Sequence, residues 1–600
     1  MCGIIGYIGK TNCIKKVIEG LETLEYRGYD SAGIAYVQNN KIVIKKEKGK
    51  IYNLKKSLDL TTKTNMGIGH TRWATHGKAN KTNAHPHKVG KFTIVHNGII
   101  ENYAELKKDL IIHGYIFKSE TDTEVACATI DYYYQNEKDI LKALQKAIET
   151  FSGSFAIGVI CEDDPNNLYA IKKASPLIVA TSNDGNFIAS DVPAILKWTN
   201  KYFLLNDLEI CKLSNSSIIF YDINLKEITK ELKIFEGSIS DTSKNGYDHF
   251  MLKEINEQDI VISNTINAYY DGTKKSLVNN FGFIAKYNNI HIVACGSAYH
   301  AGYIGRYLIE TYGNIPVTIE VASEYRYKKC FYDQNTLVIL VSQSGETADT
   351  LAALRKAKND GIDTLAIINV EGSSIAREAD YVIYTKAGCE IAVATTKAYL
   401  AQVSIFSLIA LYLGIIKNNL KKDDINKINT ELKKLPNYIR ETIHNPKYET
   451  IAKKIHTSQN IFFIGRNIDY GISLEGALKL KEISYINAVA YQAGELKHGT
   501  ISLIELGTPV IAISTKKELN EKMISNIKEV KARGANVILI TNMNCENDSY
   551  NEVIKIQSFH PLLQTIITII PLQLIAYYVA KNKNCDIDKP RNLAKSVTVE

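Results

Sequence analysis

The sequence predicts an α+β domain of stacked sheets with helices outside, followed by two doubly wound α/β domains. Up to about residue 234 the chain alternates short runs of β-favouring residues with turns and contains few helical segments. The remainder repeats itself at a spacing of roughly 170 residues, with apolar strands that alternate with helices. A chain of 600 residues far exceeds the needs of one hydrophobic core, so two to four domains are expected.

In the first part, strands are predicted from runs rich in Val, Ile, Phe and Tyr, and helices from apolar residues at helical spacing. The predicted strands are residues 3–6, 33–37, 41–44, 92–96, 154–161, 168–171, 187–190 and 217–221. The predicted helices are residues 11–23, 103–113, 123–135 and 139–151. Residues 237–246 are rich in Ser, Asp and Asn, which indicates a linker.

Three pairs of matched segments carry the internal repeat. They are 289–293 with 460–464, 336–342 with 508–514, and 361–368 with 534–540. Strands this apolar are typical of parallel sheets covered on both faces. The predicted division is a first domain at 1–236, a linker at 237–248, copies at 249–430 and 431–584, and a tail at 585–600.

Composition narrows the classes of function. Lys and Arg total 72 against 64 Asp and Glu, and the net charge of +8 is spread without long blocks, so neither nucleic acid nor a membrane surface is indicated. The small positive net charge at most suits anionic small substrates. The ten cysteines form no Cys-x-x-Cys pair, which argues against zinc and disulfides and favours a reducing cytoplasm. We expect no secretory signal at the start of the chain.

Two uncharged segments, residues 398–416 and 562–580, are long enough to cross a membrane. They occupy similar places in the two copies of the repeat, and the second contains several polar residues and a proline. We therefore expect helices buried in soluble domains.

Cys2 stands where it becomes the N-terminal residue if Met1 is removed. A thiol and an α-amino group would then share one residue, and the amine could accept the thiol proton directly or through one water. Cys2 would be a nucleophile with its own general base. Taken alone, this position favours an ordinary thiol at a chain end, and the rest of the chain has to decide.

The two copies differ at the turn after one matched strand. The first-copy turn, residues 342–347, reads Ser-Gln-Ser-Gly-Glu-Thr, where backbone N–H groups and a helix N-terminus favour a phosphate. The second-copy turn, residues 514–517, reads Ser-Thr-Lys-Lys and lacks the glycine. We predict one sugar-phosphate site, in the first copy, although a plain helix cap at 342–347 remains open. No nucleotide-binding glycine motif is present.

In the second copy, Glu475, Lys479 and Glu482 fall on one face of a predicted helix. His498 follows closely and is suited to proton transfer near neutral pH. A carboxylate beside a lysine could move a proton between adjacent carbons of a ketose, although a solvated ion-pair row would look the same. A lone lysine, Lys595, stands in the apolar pattern of the tail and could belong to a site.

In the first domain, residues 69–77 place Arg72 and Trp73 in a glycine-bounded loop, where the arginine could grip a carboxylate. Asn97 and Gly98 read as a tight turn that offers an amide and a backbone N–H to an oxyanion. Asp122 could hold an ammonium group. A metal cluster is the alternative for the histidines, although their spacing matches no standard ligand pattern. These are His70, His76, His85, His87 and His96.

Several motifs together resemble known families over the whole chain. The first domain is similar to a class II glutamine amidotransferase domain of the N-terminal nucleophile type, and the duplicated part resembles paired sugar isomerase (SIS) domains. The motifs of the first domain are residues 2–4, 26–33, 70–77, 96–98 and 121–122. Both parts together, closed by residues 590–600, resemble the isomerizing glutamine:fructose-6-phosphate aminotransferase family.

This resemblance implies that Cys2 attacks the carboxamide of L-glutamine, with Asn97 and Gly98 as the oxyanion hole. Ammonia would pass through an internal channel gated by Trp73. The residues implied to hold the amino-acid head of glutamine are Arg72, His76 and Asp122.

The acceptor implied by the resemblance is D-fructose 6-phosphate, and the product is glucosamine 6-phosphate for amino-sugar synthesis. His498 from a second subunit would open the ring, Lys595 would form an imine, and Glu482 with Lys479 would move the proton. No cofactor or metal is implied, and a homodimer is expected. The implied sugar-binding residues are Ser297, Ser342, Gln343, Ser344, Thr347, Glu390 and Val393.

Two departures from the family pattern are visible. Ala298 replaces a serine of the usual Cys-Gly-Thr-Ser, and Thr500 stands where proline commonly follows Lys-His-Gly. The short linker leaves no room for the long insertion of eukaryotic members, so we expect a bacterial-type enzyme without nucleotide-sugar feedback. The rivals are an amidotransferase with another acceptor, for which no pyrophosphate-binding or adenylating loop is found, and a non-catalytic sugar-phosphate sensor.

Overall fold

A computed structural model of the chain describes residues 2–74, 77–235, 243–271, 276–277, 279–333, 335–544 and 549–598. The chain forms two compact units. The first unit spans Met1–Ser243 with Ala594–Glu600, and the second spans Lys244–Leu593. The predicted linker at 237–248 lies partly outside the described residues.

The first unit is built on two antiparallel sheets, which confirms the predicted stacked-sheet class. One sheet has the strand order Lys233–Ile234, Lys201–Leu204, Ile178–Ser182, Gly185–Ala189, Gly3–Gly9, Met66–Arg72, Ser31–Gln38 and Lys41–Lys48. The other has the order Glu227–Ile228, Ile218–Tyr221, Ile210–Leu213, Asp164–Lys173, Gly153–Cys161, Phe92–Ile100 and His87–Val89. Residues such as Ile68 and Ile160, one from each sheet, share the core between them.

The helices of this unit cover the outer faces of the sheets. Val17 and Leu21 of the helix Cys13–Leu24 pack with Ile5 and Phe187 of the first sheet. On the second sheet a separate core holds residues of two further helices. The helices of the unit are Cys13–Leu24, Ile51–Lys56, Tyr103–Ile112, Asp122–Glu137 and Ile140–Thr150.

Two of the sequence predictions for this unit were wrong in detail. Residues 69–77 are not one loop, because His70 and Arg72 belong to the strand Met66–Arg72. That strand pairs with the strand Gly3–Gly9, which directly follows Cys2. Asn97 and Gly98 are not a tight turn, because their strand continues to Ile100 and pairs there with Gly153–Cys161. Ladder pairing thus outweighs the turn preference of Asn-Gly.

The second unit contains two parallel sheets of matching strand order, which confirms the predicted duplication. The first copy has the order Val317–Val321, Asn289–Ala294, Thr336–Ser342, Asp363–Ile368 and Tyr381–Tyr384. The second has Asn487–Gln492, Asn460–Gly465, Pro509–Ser514, Asn536–Thr541 and Glu552–Lys555. In both, the first strand along the chain lies between the next two, so each copy has a switch point at the carboxyl ends of its strands.

Helices cover these sheets. They are Phe250–Asn256, Gln258–Tyr269, Gly296–Leu308, Ala322–Tyr325, Ala348–Asn359, Ser374–Glu378, Lys397–Ile416, Lys422–Ile443, Lys447–Ile455, Ile468–Ser484, Asn520–Lys531, Pro561–Thr568 and Ile570–Asn582. Two stretches, Lys397–Ile416 and Pro561–Asn582, are apolar enough to cross a membrane, but 83% and 94% of their most apolar windows are buried within the unit. They are core helices, as predicted, and the protein is soluble.

Candidate active sites

Cys2 lies at the start of the strand Gly3–Gly9, beside the end of the strand Met66–Arg72. The backbone N–H of Trp73 donates to Cys2 Sγ over 3.2 Å, and Sγ lies 3.5 Å from the Trp73 carbonyl oxygen. Burial raises the pKa of the Cys2 thiol, while the Trp73 N–H and the charge of Arg72 oppose that rise. The thiol therefore needs a base to become a thiolate at neutral pH.

The segment that follows Arg72 is held by the motif at residues 26–33. Asp30 accepts a hydrogen bond from Ala74 N–H over 3.0 Å, and its own N–H donates to the Arg72 carbonyl over 3.0 Å. A Cβ at Gly28 would lie 2.7 Å from Arg72 C, so only glycine allows this approach. The Trp73 ring meets Tyr29 edge to face at 5.7 Å. The motif was recognised from sequence, but its role in holding Trp73 against Cys2 was missed.

Asn97 also contacts Cys2. Its Nδ2 donates to the Cys2 carbonyl over 2.9 Å, and its Oδ1 lies 3.1 Å from His70 Nε2. His70 Nε2 is also 2.9 Å from the carbonyl of His96, so both neighbours are acceptors and Nε2 carries the proton. Burial lowers the pKa of His70 to about 3, which keeps the ring neutral. His70 thereby orients the Asn97 amide with its N–H groups toward Cys2.

Gly98 follows Asn97 in the same strand with φ of +113°. A Cβ there would lie 2.0 Å from the Ser154 carbonyl oxygen, so the position is restricted to glycine. Gly98 is thus a strained strand residue instead of a turn residue, and the oxyanion role of Asn97 and Gly98 stays a prediction.

Arg72 and Asp122, predicted to bind the head of glutamine, are both buried. The Arg72 guanidinium lies 3.3 Å from the Gly77 carbonyl, and Asp122 accepts a hydrogen bond from Ile100 N–H over 2.9 Å. Burial lowers the pKa of Arg72, while the charges of Cys2 and Asp122 counteract it, which places all three groups in one electrostatic environment. His76 lies outside the described residues.

The other histidines form a buried stack behind Asn97. His70 and His85 stack at 4.1 Å, and burial lowers the pKa of both rings and of His87. Within the part of the chain that the structure describes, no group of three or more His, Cys, Asp and Glu side chains is arranged to hold a metal ion. His70, His85 and His87 therefore serve as neutral packing and hydrogen-bonding groups.

In the second unit, the first-copy turn follows the strand Thr336–Ser342 and leads into the helix Ala348–Asn359. Ser342 Oγ accepts from Gly345 N–H over 3.0 Å and lies 3.1 Å from Thr347 Oγ1. Ser344 Oγ accepts from Glu346 N–H over 3.2 Å. With the adjacent Gln343, these hydroxyls lie at the carboxyl end of a parallel strand, where such sheets bind ligands.

The helix Ile468–Ser484, here called the glutamate helix, carries the predicted row of charges. Lys479 Nζ lies 2.5 Å from Glu482 and 3.5 Å from Glu475. Burial lowers the pKa of Lys479, but the two carboxylates outweigh it and the net pKa is raised, so the amine stays charged. Glu475 also accepts from Ser297 Oγ over 2.8 Å and lies 2.8 Å from His300 Nδ1. The two copies therefore meet at this glutamate, and His300 was missed from sequence.

Glu390 and Val393 lie in the loop at residues 385–396, here called the capping loop. Glu390 accepts from Thr396 N–H over 3.0 Å and from Ala398 N–H over 3.1 Å, so it caps the helix Lys397–Ile416. Val393 N–H donates to the Asp588 carbonyl over 3.0 Å. Glu390 thus contacts backbone in this structure, and its charge also acts on Lys479.

Sequence reasoning missed Glu254, a buried residue that supports the capping loop. Its Oε1 accepts from Ile391 N–H over 2.5 Å and from Ala392 N–H over 3.1 Å. Lys397 pairs nearby with Glu257 over 2.7 Å. These contacts join residues far apart in sequence, so no local sequence pattern could have predicted them.

Two further predicted residues, His498 and Lys595, lie in other segments of the chain. His498 is exposed at the end of the short 3₁₀ helix Glu495–His498. Lys595 belongs to the terminal segment that groups with the first unit. Asp588 and Arg591, just before that segment, are anchored in the second unit by bonds to Met251 N–H at 2.9 Å and to the Tyr485 hydroxyl at 2.8 Å.

Comparisons with known proteins agree with this organisation. The SIS domain family matches residues 283–412 and 454–582, and the glutamine amidotransferase domain family matches residues 70–197. The C-terminal domain of glucosamine-fructose-6-phosphate aminotransferase from Francisella tularensis is a similar solved structure, with 38% identity and a TM-score of 0.55, covering 58% of this chain and 99% of its own. The fold and sites define a glutamine amidotransferase joined to paired SIS domains.

Similarity to full-length relatives identifies the family of the whole chain. The glutamine--fructose-6-phosphate aminotransferase (isomerizing) of Caldanaerobacter subterraneus subsp. tengcongensis is 48% identical over 611 residues, with 100% of both chains covered. The protein of the same name from Clostridium tetani is 48% identical over 610 residues, again with 100% of both chains covered. The chain belongs to the glutamine--fructose-6-phosphate aminotransferase (isomerizing) family.

Proposed function

We propose that this protein converts D-fructose 6-phosphate and L-glutamine to D-glucosamine 6-phosphate and L-glutamate, the first step of amino-sugar synthesis. The observation that carries the proposal is the coexistence in one chain of Cys2 beside Asn97 and of a hydroxyl-lined turn in a SIS copy. Full-length similarity to enzymes of that name supports it. The substrates are small molecules, and no nucleic acid or membrane partner is proposed.

In the first unit, the α-amino group of Cys2, freed by removal of Met1, takes the thiol proton. The thiolate attacks the carboxamide carbon of glutamine, and the oxyanion is stabilised by Asn97 Nδ2 and the Gly98 N–H. Collapse of the tetrahedral species breaks the C–N bond while the α-ammonium group returns its proton to the leaving nitrogen, so ammonia is released. The γ-glutamyl thioester that remains is hydrolysed by water. Arg72, Asp122 and His76 hold the amino-acid head.

In the second unit, the sugar phosphate binds to Ser342, Gln343, Ser344 and Thr347, with Ser297, Glu390 and Val393 around the sugar. Lys595 forms an imine with the sugar carbonyl with loss of water, and ammonia then displaces the lysine amine to give the imine of the amino sugar. Glu482 moves the proton between adjacent carbons with the aid of Lys479. The buried lysines fit the imine role poorly. Carboxylates raise the pKa of both Lys479 and Lys397 despite burial, and an imine requires a neutral amine.

The remaining parts of the proposal concern assembly and coupling. The exposed position of His498 fits ring opening in the site of a second subunit, so we propose a homodimer. Ammonia passes internally with Trp73 as its gate, and the terminal segment closes over the sugar. We propose a cytoplasmic enzyme that uses no metal or organic cofactor.

The main test supplies glutamine labelled with ¹⁵N in its amide, together with fructose 6-phosphate, and measures the product by mass spectrometry. We expect labelled glucosamine 6-phosphate, undiluted by unlabelled ammonium in the buffer. Cys2→Ala should abolish glutamine use but retain synthesis from ammonium, while Cys330→Ala should resemble wild type. Retention of glutaminase activity by Cys2→Ala, or of Met1 in the active enzyme, would contradict the first step.

Two further tests address Lys595 and His498. Borohydride trapping with labelled fructose 6-phosphate should label Lys595, and label on Lys479 or Lys397 would show that the lysine is wrongly assigned. His498→Ala and Lys595→Ala chains should each be inactive alone but regain activity when coexpressed, because a mixed dimer contains one intact site. Failure to complement, with mixed dimers demonstrated, would refute the shared site.

A further inference from the structure

The second-copy turn holds an internal carboxylate. Thr515, directly after the strand Pro509–Ser514, donates its N–H to Asp469 Oδ2 over 2.8 Å and its hydroxyl to Asp469 Oδ1 over 2.5 Å. Asp469 is 3% exposed and lies in the first turn of the glutamate helix. One backbone N–H and one hydroxyl therefore grip two oxygens of an anion, as they would grip a phosphate.

The position of this contact matches a ligand site. The strands Asn460–Gly465 and Pro509–Ser514 are neighbours, and Asp469 and Thr515 come from the segments just after their carboxyl ends. Open parallel sheets bind ligands at the carboxyl ends of neighbouring strands, and in the first copy the hydroxyl-lined turn lies at such a strand end. The Asp469 carboxylate thus takes the place that a bound anion would have.

The surroundings of Asp469 also suit an anion. Lys516 lies next to Thr515, and its Nζ is 3.3 Å from Asn467 Oδ1. Asn467 has φ of +57° and accepts the Ile468 N–H over 2.9 Å, which starts the glutamate helix in a strained conformation. Burial raises the pKa of Asp469 to about 6, opposed by Thr515 and Lys516, so the group is ionised at neutral pH.

We propose that Asp469 fills the anion site of the second copy and anchors the glutamate helix, so that this site is closed to phosphate and becomes a phosphate site when the carboxylate is removed. Asp469 is a positioning residue, because Glu475, Lys479 and Glu482 lie further along the same helix. The activity readout of this inference rests on the proposed function, whereas its binding readout does not.

The test removes the carboxylate with Asp469→Ser and titrates inorganic phosphate by calorimetry. Wild type should bind one phosphate per chain, at the first-copy turn, and Asp469→Ser should bind two. Adding Ser344→Ala and Thr347→Ala should remove the first site and leave the new one, whereas adding Thr515→Val should remove the new one. Asp423→Ser, at the exposed start of another helix, is the matched control and should bind like wild type.

The kinetic arm separates positioning from binding. Asp469→Ser should lower kcat for amino-sugar formation by about tenfold or more, with a smaller change in KM for the sugar and unchanged glutaminase activity. Millimolar phosphate should partly restore kcat in Asp469→Ser but not in Asp469→Ser with Thr515→Val. Asp469→Asn keeps the side-chain volume, so it should bind no second phosphate and show no rescue. Asp469→Ala repeats both readouts if the serine variant fails to fold.

Three results would overturn the inference. They are one phosphate per chain in a folded Asp469→Ser variant, kcat equal to wild type in that variant, and equal rescue with and without Thr515. If the binding result holds while no amino sugar forms in wild type, the proposed function fails and the anion site stands.

Discussion

The two SIS copies share one strand order but treat the same turn differently. In the first copy, Ser342 accepts from Gly345 N–H and lies beside the Thr347 hydroxyl, and Ser344 accepts from Glu346 N–H. In the second, Thr515 is committed to Asp469. We infer from this difference that a duplicated fold can keep one turn geometry for two uses, a sugar-phosphate site as proposed for the first copy and an internal carboxylate in the second.

The glutamate helix of the second copy contacts both the first copy and the second-copy turn. It presents Glu475 to Ser297 and His300 of the first copy, while its other end is tied to Thr515. One helix therefore connects both copies, and in the proposed function the second copy supplies the acid and base groups while the first copy binds the phosphate. The following changes test this division of labour, in order of expected effect.

The largest effect is expected from Lys479→Met. It leaves Glu475 and Glu482 without their buried cation, so we expect loss of amino-sugar formation and about 3 to 5 kcal/mol lower stability. Thermal or urea unfolding and product assays measure both. Lys481→Met, exposed on the same helix, is the control and should behave like wild type.

A smaller effect is expected from Ser344→Ala with Thr347→Ala. Each lost hydrogen bond to a charged phosphate costs about 1.5 to 3 kcal/mol, so KM for fructose 6-phosphate should rise at least tenfold while kcat falls less. Ser514→Ala in the second copy is the counterpart, and steady-state kinetics compare the two. Equal rises in KM would show that both turns bind sugar phosphate.

Gly345→Ala should have a moderate effect on stability. The residue has φ of +65°, and a Cβ would lie 2.0 Å from Ser373 Oγ, so crowding adds to backbone strain and should cost about 1 to 3 kcal/mol. Gly361→Ala shares the positive φ of +75° but meets nothing within 4 Å, and it isolates the strain. Equal losses of stability in the two variants would show that the Ser373 side chain moves aside without an energetic penalty.

The smallest effect concerns pH. Burial raises the pKa of Asp469 to about 6 in the folded chain, above its ordinary 3.8, so the folded state binds the extra proton and stability falls as pH rises from about 4 to 6. Asp469→Asn removes this component, so its stability relative to wild type should increase across that window by up to about 2 kcal/mol. Thermal melts at several pH values measure the difference, with Asp423→Asn as the control. Parallel curves for wild type and Asp469→Asn would contradict the raised pKa.

The sequence by itself determined the features that depend on local periodicity. The alternating strands of the first unit, the repeat of the second, the first-copy turn and the row Glu475, Lys479 and Glu482 all follow from spacing along one element. The two apolar helices were also predicted to be buried, and their packing within the second unit confirms it.

Tertiary structure decided the features that join distant segments. Gly98 is a strand residue because Gly153–Cys161 lies beside it, although its dipeptide favours a turn. Asp30 holds Ala74 near Cys2, and Asp469 meets Thr515, across separations of 44 and 46 residues. Propensity and periodicity act over a few residues, whereas these contacts depend on which strands become neighbours, and only the folded chain fixes that choice.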